Sequence, residues 1–150
     1  MKIIITLISV ISMYSVSAQK YTDIYISDAN KVALDWLDDL NHKQYENAYH
    51  LLSKEVKAIS PQETWIGVVN SIMLEFGDLK SRKVTQTYFQ SEIEGFEDGF
   101  YVIIEYDVNY NNTKDHTEKI LLKQNDKTKW EILIFDYTFA SNALLDQEKE

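Results

Sequence analysis

The chain has 150 residues, no cysteine and a formal net charge of −9 at pH 7. This length suits one domain that buries about two-thirds of its unfolded surface, and the absence of cysteine excludes disulfides, thiolate metal sites and cysteine nucleophiles. An acidic chain repels phosphate backbones, so a nucleic acid is not an expected partner.

The N-terminus has the pattern of a secretory signal peptide. Lys2 precedes a run of apolar residues, and small residues ending at Ala18 follow it, as in the charged, apolar and cleavage regions of such peptides. The run is shorter than the about 20 residues that a membrane-spanning helix needs, which makes a membrane anchor the weaker alternative. We expect residues 1–18 to be removed on export. Residues 19–150 would then form a single domain without a membrane span, in the periplasm or outside the cell.

Three helices are predicted first. Apolar residues recur at helical spacing over residues 27–41 and again over residues 45–56. Ser60, Pro61 and Glu63 form a capping box for a third helix. Gly77 is expected to end that helix with a positive φ.

Strands follow the helices. β-branched and aromatic residues predict strands over residues 79–89, 95–110, 116–124 and 130–139. In the second strand the even-numbered residues from Phe100 to Tyr110 are apolar and are expected to face the helices. Residues 125–128 have the chemistry of a hairpin turn, and the acidic tail, residues 140–150, is expected to fray. The order predicts an α+β fold with about three helices packed on a curved antiparallel sheet of about four strands.

An ordered set of motifs runs through residues 30–137. It comprises Ala33-Leu34-Asp35-Trp36-Leu37, Tyr45, Trp65, Gly77, Arg82, Gly95, Asp98-Gly99-Phe100-Tyr101-Val102, Glu118, Trp130 and Asp136-Tyr137. This pattern resembles the exported bacterial family called domain of unknown function 4019. The resemblance implies a small cone-shaped α+β fold similar to the nuclear transport factor two (NTF2-like) and cystatin superfamilies. It implies no activity.

One stretch has the spacing of metal ligands. The residues that fall at positions 1, 3, 5, 7, 9 and 12 of a calcium-binding EF-hand loop are Asp107, Asn109, Asn111, Thr113, Asp115 and Glu118. Position 6 is Asn112 rather than glycine, and both flanks have the period of strands. The interpretation we favour is a polar hairpin tip, with a weak calcium site as the alternative. The three histidines, His42, His50 and His116, have no ligand spacing, so they are expected to be solvated and no zinc site is expected.

Two interpretations of the interior remain open. Cone-shaped enzymes commonly use a carboxylate or histidine in an apolar cavity to move a proton, and Glu118 is the candidate here. The alternative, which we favour, is a structural ion pair between Arg82 and Glu118. The aromatic residues could line a ligand pocket or simply form the core. With Arg82, they are the candidate ligand-binding residues: Trp36, Tyr49, Trp65, Tyr106 and Trp130.

These patterns favour a non-enzymatic exported domain that binds a small apolar ligand or a protein partner in the cell envelope, with no cofactor. The alternative is an enzyme of the cone fold that uses Glu118 for proton transfer.

Overall fold

The computed structural model describes the backbone of residues 3–141 and the side chains of residues 21–140. The elements in this part of the chain are α1 (Ile3–Asn41), α2 (Tyr45–His50), α3 (Lys54–Ile59), α4 (Gln62–Phe76), β1 (Leu79–Gln90), β2 (Tyr101–Tyr110), β3 (Thr113–Gln124) and β4 (Trp130–Ser141). The strands form an antiparallel sheet in the order β1-β2-β3-β4. The predicted α+β class, with helices preceding a curved four-stranded sheet, is confirmed.

α1 begins much earlier than the predicted start at Ser27. It runs unbroken from Ile3 to Asn41, because this segment contains neither glycine nor proline to stop it. The signal-peptide prediction covers residues whose side chains lie outside the described ones, and it stays a prediction. In the part of the chain that the structure describes, no helix is long and apolar enough to cross a membrane.

The predicted second helix is in fact two short helices. Between α2 and α3, Leu52 forms an isolated parallel bridge with Ile132 of β4. The Ser53 N–H donates to the Ile132 carbonyl at 2.8 Å, and the Ile132 N–H donates to the Leu51 carbonyl at 2.9 Å. Ser53 then caps α3 by accepting from the Val56 N–H. Helical periodicity missed this break because the bonds that hold it come from a distant strand.

The start of α4 also differs in its chemistry. The helix begins one residue later than predicted, with Pro61 as the N-cap, and no side-chain cap bond forms there. Ser60 instead ends α3, with its N–H donating to the Val56 carbonyl. The predicted capping box is therefore wrong, because Ser60 is the C-cap of α3 and the N-cap of α4 is the next residue, Pro61.

Gly77 ends α4 with a positive φ of 78°, as predicted. A Cβ at this residue would lie 2.8 Å from the side chain of Asn112 in the β2–β3 turn. The same turn is bound to the end of α4 by the Asn112 N–H, which donates to the Phe76 carbonyl at 3.1 Å. Glycine is therefore favoured at residue 77 for two reasons: the backbone has a positive φ, and the β2–β3 turn leaves no room for a side chain.

The helices cover one side of the sheet, which we call the inner face; the other side is the outer face. The even-numbered residues of β2 from Val102 to Tyr110 are buried on the inner face, as predicted. Trp36 of α1 packs edge-on against Phe135 of β4, with ring centroids 5.1 Å apart. Burial of each such large apolar side chain contributes about 1.5–3 kcal/mol to folding. Phe100 departs from the pattern: it precedes β2, and 42% of it is exposed.

Candidate functional site

The main polar cluster of the interior consists of Arg82, Tyr110 and Glu118, which we call the buried ion pair cluster. Arg82 Nε donates to Glu118 Oε2 at 2.7 Å, and Arg82 Nη2 donates to Oε1 at 3.1 Å. The Tyr110 hydroxyl donates to Oε1 at 2.9 Å and accepts from Arg82 Nη2 at 2.7 Å. Both carboxylate oxygens are thus bound, and the Glu118 side chain is completely buried.

Strand register places these groups together. Arg82 lies opposite Val108 in the β1–β2 pair, and Glu118 lies opposite Tyr106 in the β2–β3 pair. All four side chains belong to the inner face because paired residues point to the same side of a sheet. Tyr110 follows two residues after Val108 on that face. Its hydroxyl also lies 3.4 Å from Asn41 Oδ1 at the end of α1.

The charges in this cluster are set by burial and by one another. Burial disfavours the charged guanidinium, but the hydrogen bonds and charge of Glu118 outweigh it and raise the pKa of Arg82 above its ordinary value. Burial, with a further contribution from Glu118, raises the pKa of Tyr110. Burial likewise raises the pKa of Tyr106 to about 12, so both phenols are neutral at physiological pH.

His116 lies beside the cluster rather than in solvent, and its predicted solvation is wrong. It points inward opposite Val108, and its ring meets Phe76 edge-on with centroids 4.4 Å apart. Nδ1 is 3.0 Å from the Thr113 hydroxyl, whereas Nε2, 3.9 Å from Glu118 Oε1, has no hydrogen-bond partner among the described residues. Burial lowers the pKa of His116, so the ring is held neutral.

The other two histidines are exposed, as expected. His42 Nδ1 lies 2.9 Å from the Asp38 carbonyl at the end of α1, and His50 ends α2. The side chains of His, Asp and Glu within the described residues form no group of three or more that could hold a metal ion.

The aromatic residues proposed for a pocket pack into the core instead. Trp36, Tyr49, Tyr106 and Trp130 are buried in one cluster. Trp65 is half-buried, with its ring centroid 5.7 Å from that of Tyr49. The structure therefore places four of these side chains in the hydrophobic core and packs the fifth, Trp65, against it.

The residues of the calcium-like spacing are divided by the sheet. Glu118 points inward to Arg82, while Asp107 is exposed on the outer face, opposite Lys83 and Thr117. Asn109 and Asp115 share a shallow surface depression with Asp107. Asn111 is bound at the turn, where its amide nitrogen donates to the Asp78 carboxylate at 3.2 Å.

Thr113, the remaining residue of that set, is buried against His116. The twelfth-position ligand that would define a calcium site is thus on the opposite side from the first. The flanks are strands, as the favoured hairpin interpretation requires.

Sequence reasoning nominated Arg82 and Glu118 but missed Tyr110 and Asn41. The alternation of β2 predicts that Tyr110 faces the helices, as Val108 does. Its position near Arg82 follows only from the register, which pairs Arg82 with Val108. Nothing local marked Asn41, because the Tyr110 bond spans 69 positions in the chain.

Comparison with known proteins gives one match. A family model described as "Protein of unknown function (DUF4019)" matches residues 32–135, more than half of the chain. No curated protein and no solved structure matches. The likeness to the NTF2-like and cystatin superfamilies that the resemblance implied stays a prediction.

Proposed function

Because the chain belongs to the DUF4019 family of proteins of unknown function, we propose a function from its own geometry: a non-enzymatic domain that is exported and binds a protein partner in the cell envelope. The observation that carries the non-enzymatic part is the state of Glu118. A general base must come within hydrogen-bond reach of the proton that it removes. Both oxygens of this carboxylate already accept bonds from Arg82 and Tyr110.

A protein partner is favoured over a small apolar ligand by the packing of the interior. The aromatic side chains that a ligand would need contact one another in the core. Large apolar side chains are exposed on several surfaces instead, among them Leu34, Leu74 and Ile134. Isolated side chains of this kind are ordinary, whereas neighbouring ones mark interaction sites between proteins. On the outer face, the exposed Tyr88 and Ile134 are joined in register through Ile103 and Leu121.

Export is supported by the N-terminal pattern of Lys2, an apolar run and Ala18. It is tested by fractionation of cells that make the full chain, followed by N-terminal sequencing of the product. We expect a product that begins at Gln19 outside the cytoplasm. An unprocessed chain in the cytoplasm would contradict this part of the proposal.

Partner binding is tested by site-specific photo-crosslinking in intact cells. A photo-reactive amino acid is placed in turn at Leu34, Leu74 and Ile134, which lie on α1, α4 and β4. We expect a discrete protein adduct from at least one position. Organic extraction of the protein purified from the same cells is expected to release no apolar compound. A stoichiometric lipophile, or the absence of adducts from all three positions, would contradict the proposal.

A further inference from the structure

The outer face of the sheet carries a continuous apolar row across all four strands. The pairs Tyr88 with Ile103, Ile103 with Leu121, and Leu121 with Ile134 are directly opposite one another in register. The two ends are exposed, Tyr88 at 39% and Ile134 at 41%, whereas Ile103 between them is half-buried and Leu121 is buried. A one-sided antiparallel sheet normally shows polar residues on its solvent face, so a transverse row of this kind needs an explanation.

The row continues into the loop that precedes β2. Tyr101 is next to Ile103 on the outer face, and Phe96 packs on Tyr101 with ring centroids 6.1 Å apart. The Tyr101 hydroxyl donates to the Glu97 carbonyl at 2.6 Å, which holds the loop on the sheet. Phe96 remains 40% exposed. Tyr101 itself is buried beneath the loop, so Phe96 adds a further exposed apolar side chain next to the row.

Carboxylates surround this surface. The loop, residues 91–100, contains four acidic residues and no basic one, namely Glu92, Glu94, Glu97 and Asp98. Within the described part of the chain, the one ion pair of this loop joins Glu97 to Lys123 at 3.6 Å. On the other side of the row, Glu105 pairs with Lys119 at 3.1 Å. Asp136 is beside Lys119 in the register and has no cation within ion-pair distance among the described residues.

We propose that this surface, the apolar row together with the acidic loop, binds a cationic amphipathic segment of another protein; the inference rests on the proposed function and names the partner's chemistry. An apolar stripe on the partner would cover Tyr88, Ile103 and Ile134, and flanking lysine or arginine residues would meet the unpaired carboxylates. Complementary charge sets orientation and association rate, while the apolar contacts supply the burial.

Charge excludes the two competing occupants. A second copy of this chain would present the same carboxylates and place like charges together. An anionic lipid surface attracts basic segments and would be repelled by Glu92, Glu94 and Asp98. A basic protein segment is the occupant that satisfies both features of the surface.

The test is fluorescence anisotropy of labelled helical peptides with the full chain. The probe has about 14 residues, because a helix of that length spans about 21 Å and the four strands span about 14 Å. It carries leucine on one face and lysine on the other. One control peptide replaces lysine with glutamate, and a second scrambles the order so that leucine no longer forms one face. We expect saturable binding of the first peptide alone, weakened by added salt.

Matched variants locate the site. Ile134→Ser removes an apolar end of the row, whereas Val84→Ser removes a side chain of similar exposure on the inner face of β1. The double change Glu92→Gln with Glu94→Gln has as its control Glu63→Gln with Glu75→Gln on α4. We expect the outer-face and loop variants to raise the dissociation constant about tenfold and each control to change it less than about twofold.

Three results would overturn the inference: no binding of the leucine–lysine peptide, equal binding of either control peptide, or equal effects of the outer-face variants and their controls. Each leaves the proposed function standing if photo-crosslinking at Leu34 or Leu74 gives a protein adduct. Loss of all adducts would instead remove the proposed function itself.

Discussion

The strongest test of the buried ion pair cluster is removal of Arg82 with Glu118 left in place. In Arg82→Leu the Glu118 carboxylate loses two charged hydrogen bonds, of 2.7 and 3.1 Å, and keeps only the Tyr110 hydroxyl. Its side chain is completely buried, so water cannot replace the guanidinium without opening the core. Leaving one member of a buried pair uncompensated costs about 3–5 kcal/mol. The free energy of unfolding should fall by that amount.

Urea denaturation followed by circular dichroism measures this change. With a slope of about 2 kcal/mol/M for a domain of this size, the midpoint should fall by about 1.5–2.5 M. The double variant Arg82→Leu with Glu118→Leu removes both charges and should regain most of the loss, because apolar replacement of a whole buried pair is often neutral. It also keeps the test decisive if the single variant does not fold.

An exposed pair provides the control. Lys119 and Glu105 are joined at 3.1 Å on the outer face, with side chains 51% and 31% exposed, and Lys119→Leu should cost no more than about 1 kcal/mol. Equal and small losses for Arg82→Leu and Lys119→Leu would refute the structural role of Arg82. A double variant as unstable as Arg82→Leu would show that the two residues are not coupled.

Three further predictions follow from single residues. Gly77→Ala should destabilise the protein by about 1–3 kcal/mol, because residue 77 has a φ of 78° and a ψ of −156° and the new Cβ would contact Asn112. Gly67→Ala, where a Cβ on α4 would enter open space, should instead stabilise the protein by up to about 1 kcal/mol. Chemical denaturation measures both changes. The lowered pKa of His116 means that the unfolded state binds more protons just below about pH 6.5. Stability should therefore be complete above that pH and decline as the pH falls, a slope that His116→Gln should reduce in melting curves. Millimolar calcium should leave the melting temperature unchanged, because Glu118 is committed to Arg82 across the sheet from Asp107.

Each of these has a result that contradicts it. Similar stabilities of Gly77→Ala and Gly67→Ala would mean that the β2–β3 turn leaves room for a side chain at residue 77. An unaltered pH slope in His116→Gln would assign the titration to other groups. A rise in melting temperature with calcium, absent with magnesium, would restore the calcium site.

The sequence by itself determined the order and type of the elements. Alternation along β2 identified its buried side because strand side chains alternate with period two, and the positive φ of Gly77 followed from its place after an apolar helix. The sequence also predicted the Arg82–Glu118 ion pair as the favoured interpretation. Glu118 alternates in step with Ile120 and Leu122, so it was expected on the same, inner face of the sheet.

The tertiary structure decided every feature that depends on partners distant in the chain. The split between α2 and α3 comes from bonds of Leu51 and Ser53 to Ile132, and the burial of His116 comes from Phe76. The apolar row likewise appears only when four strands are aligned, because Tyr88, Ile103, Leu121 and Ile134 are unremarkable one at a time. Local periodicity reports which side of an element is buried, whereas register and long-range hydrogen bonds determine which side chains meet.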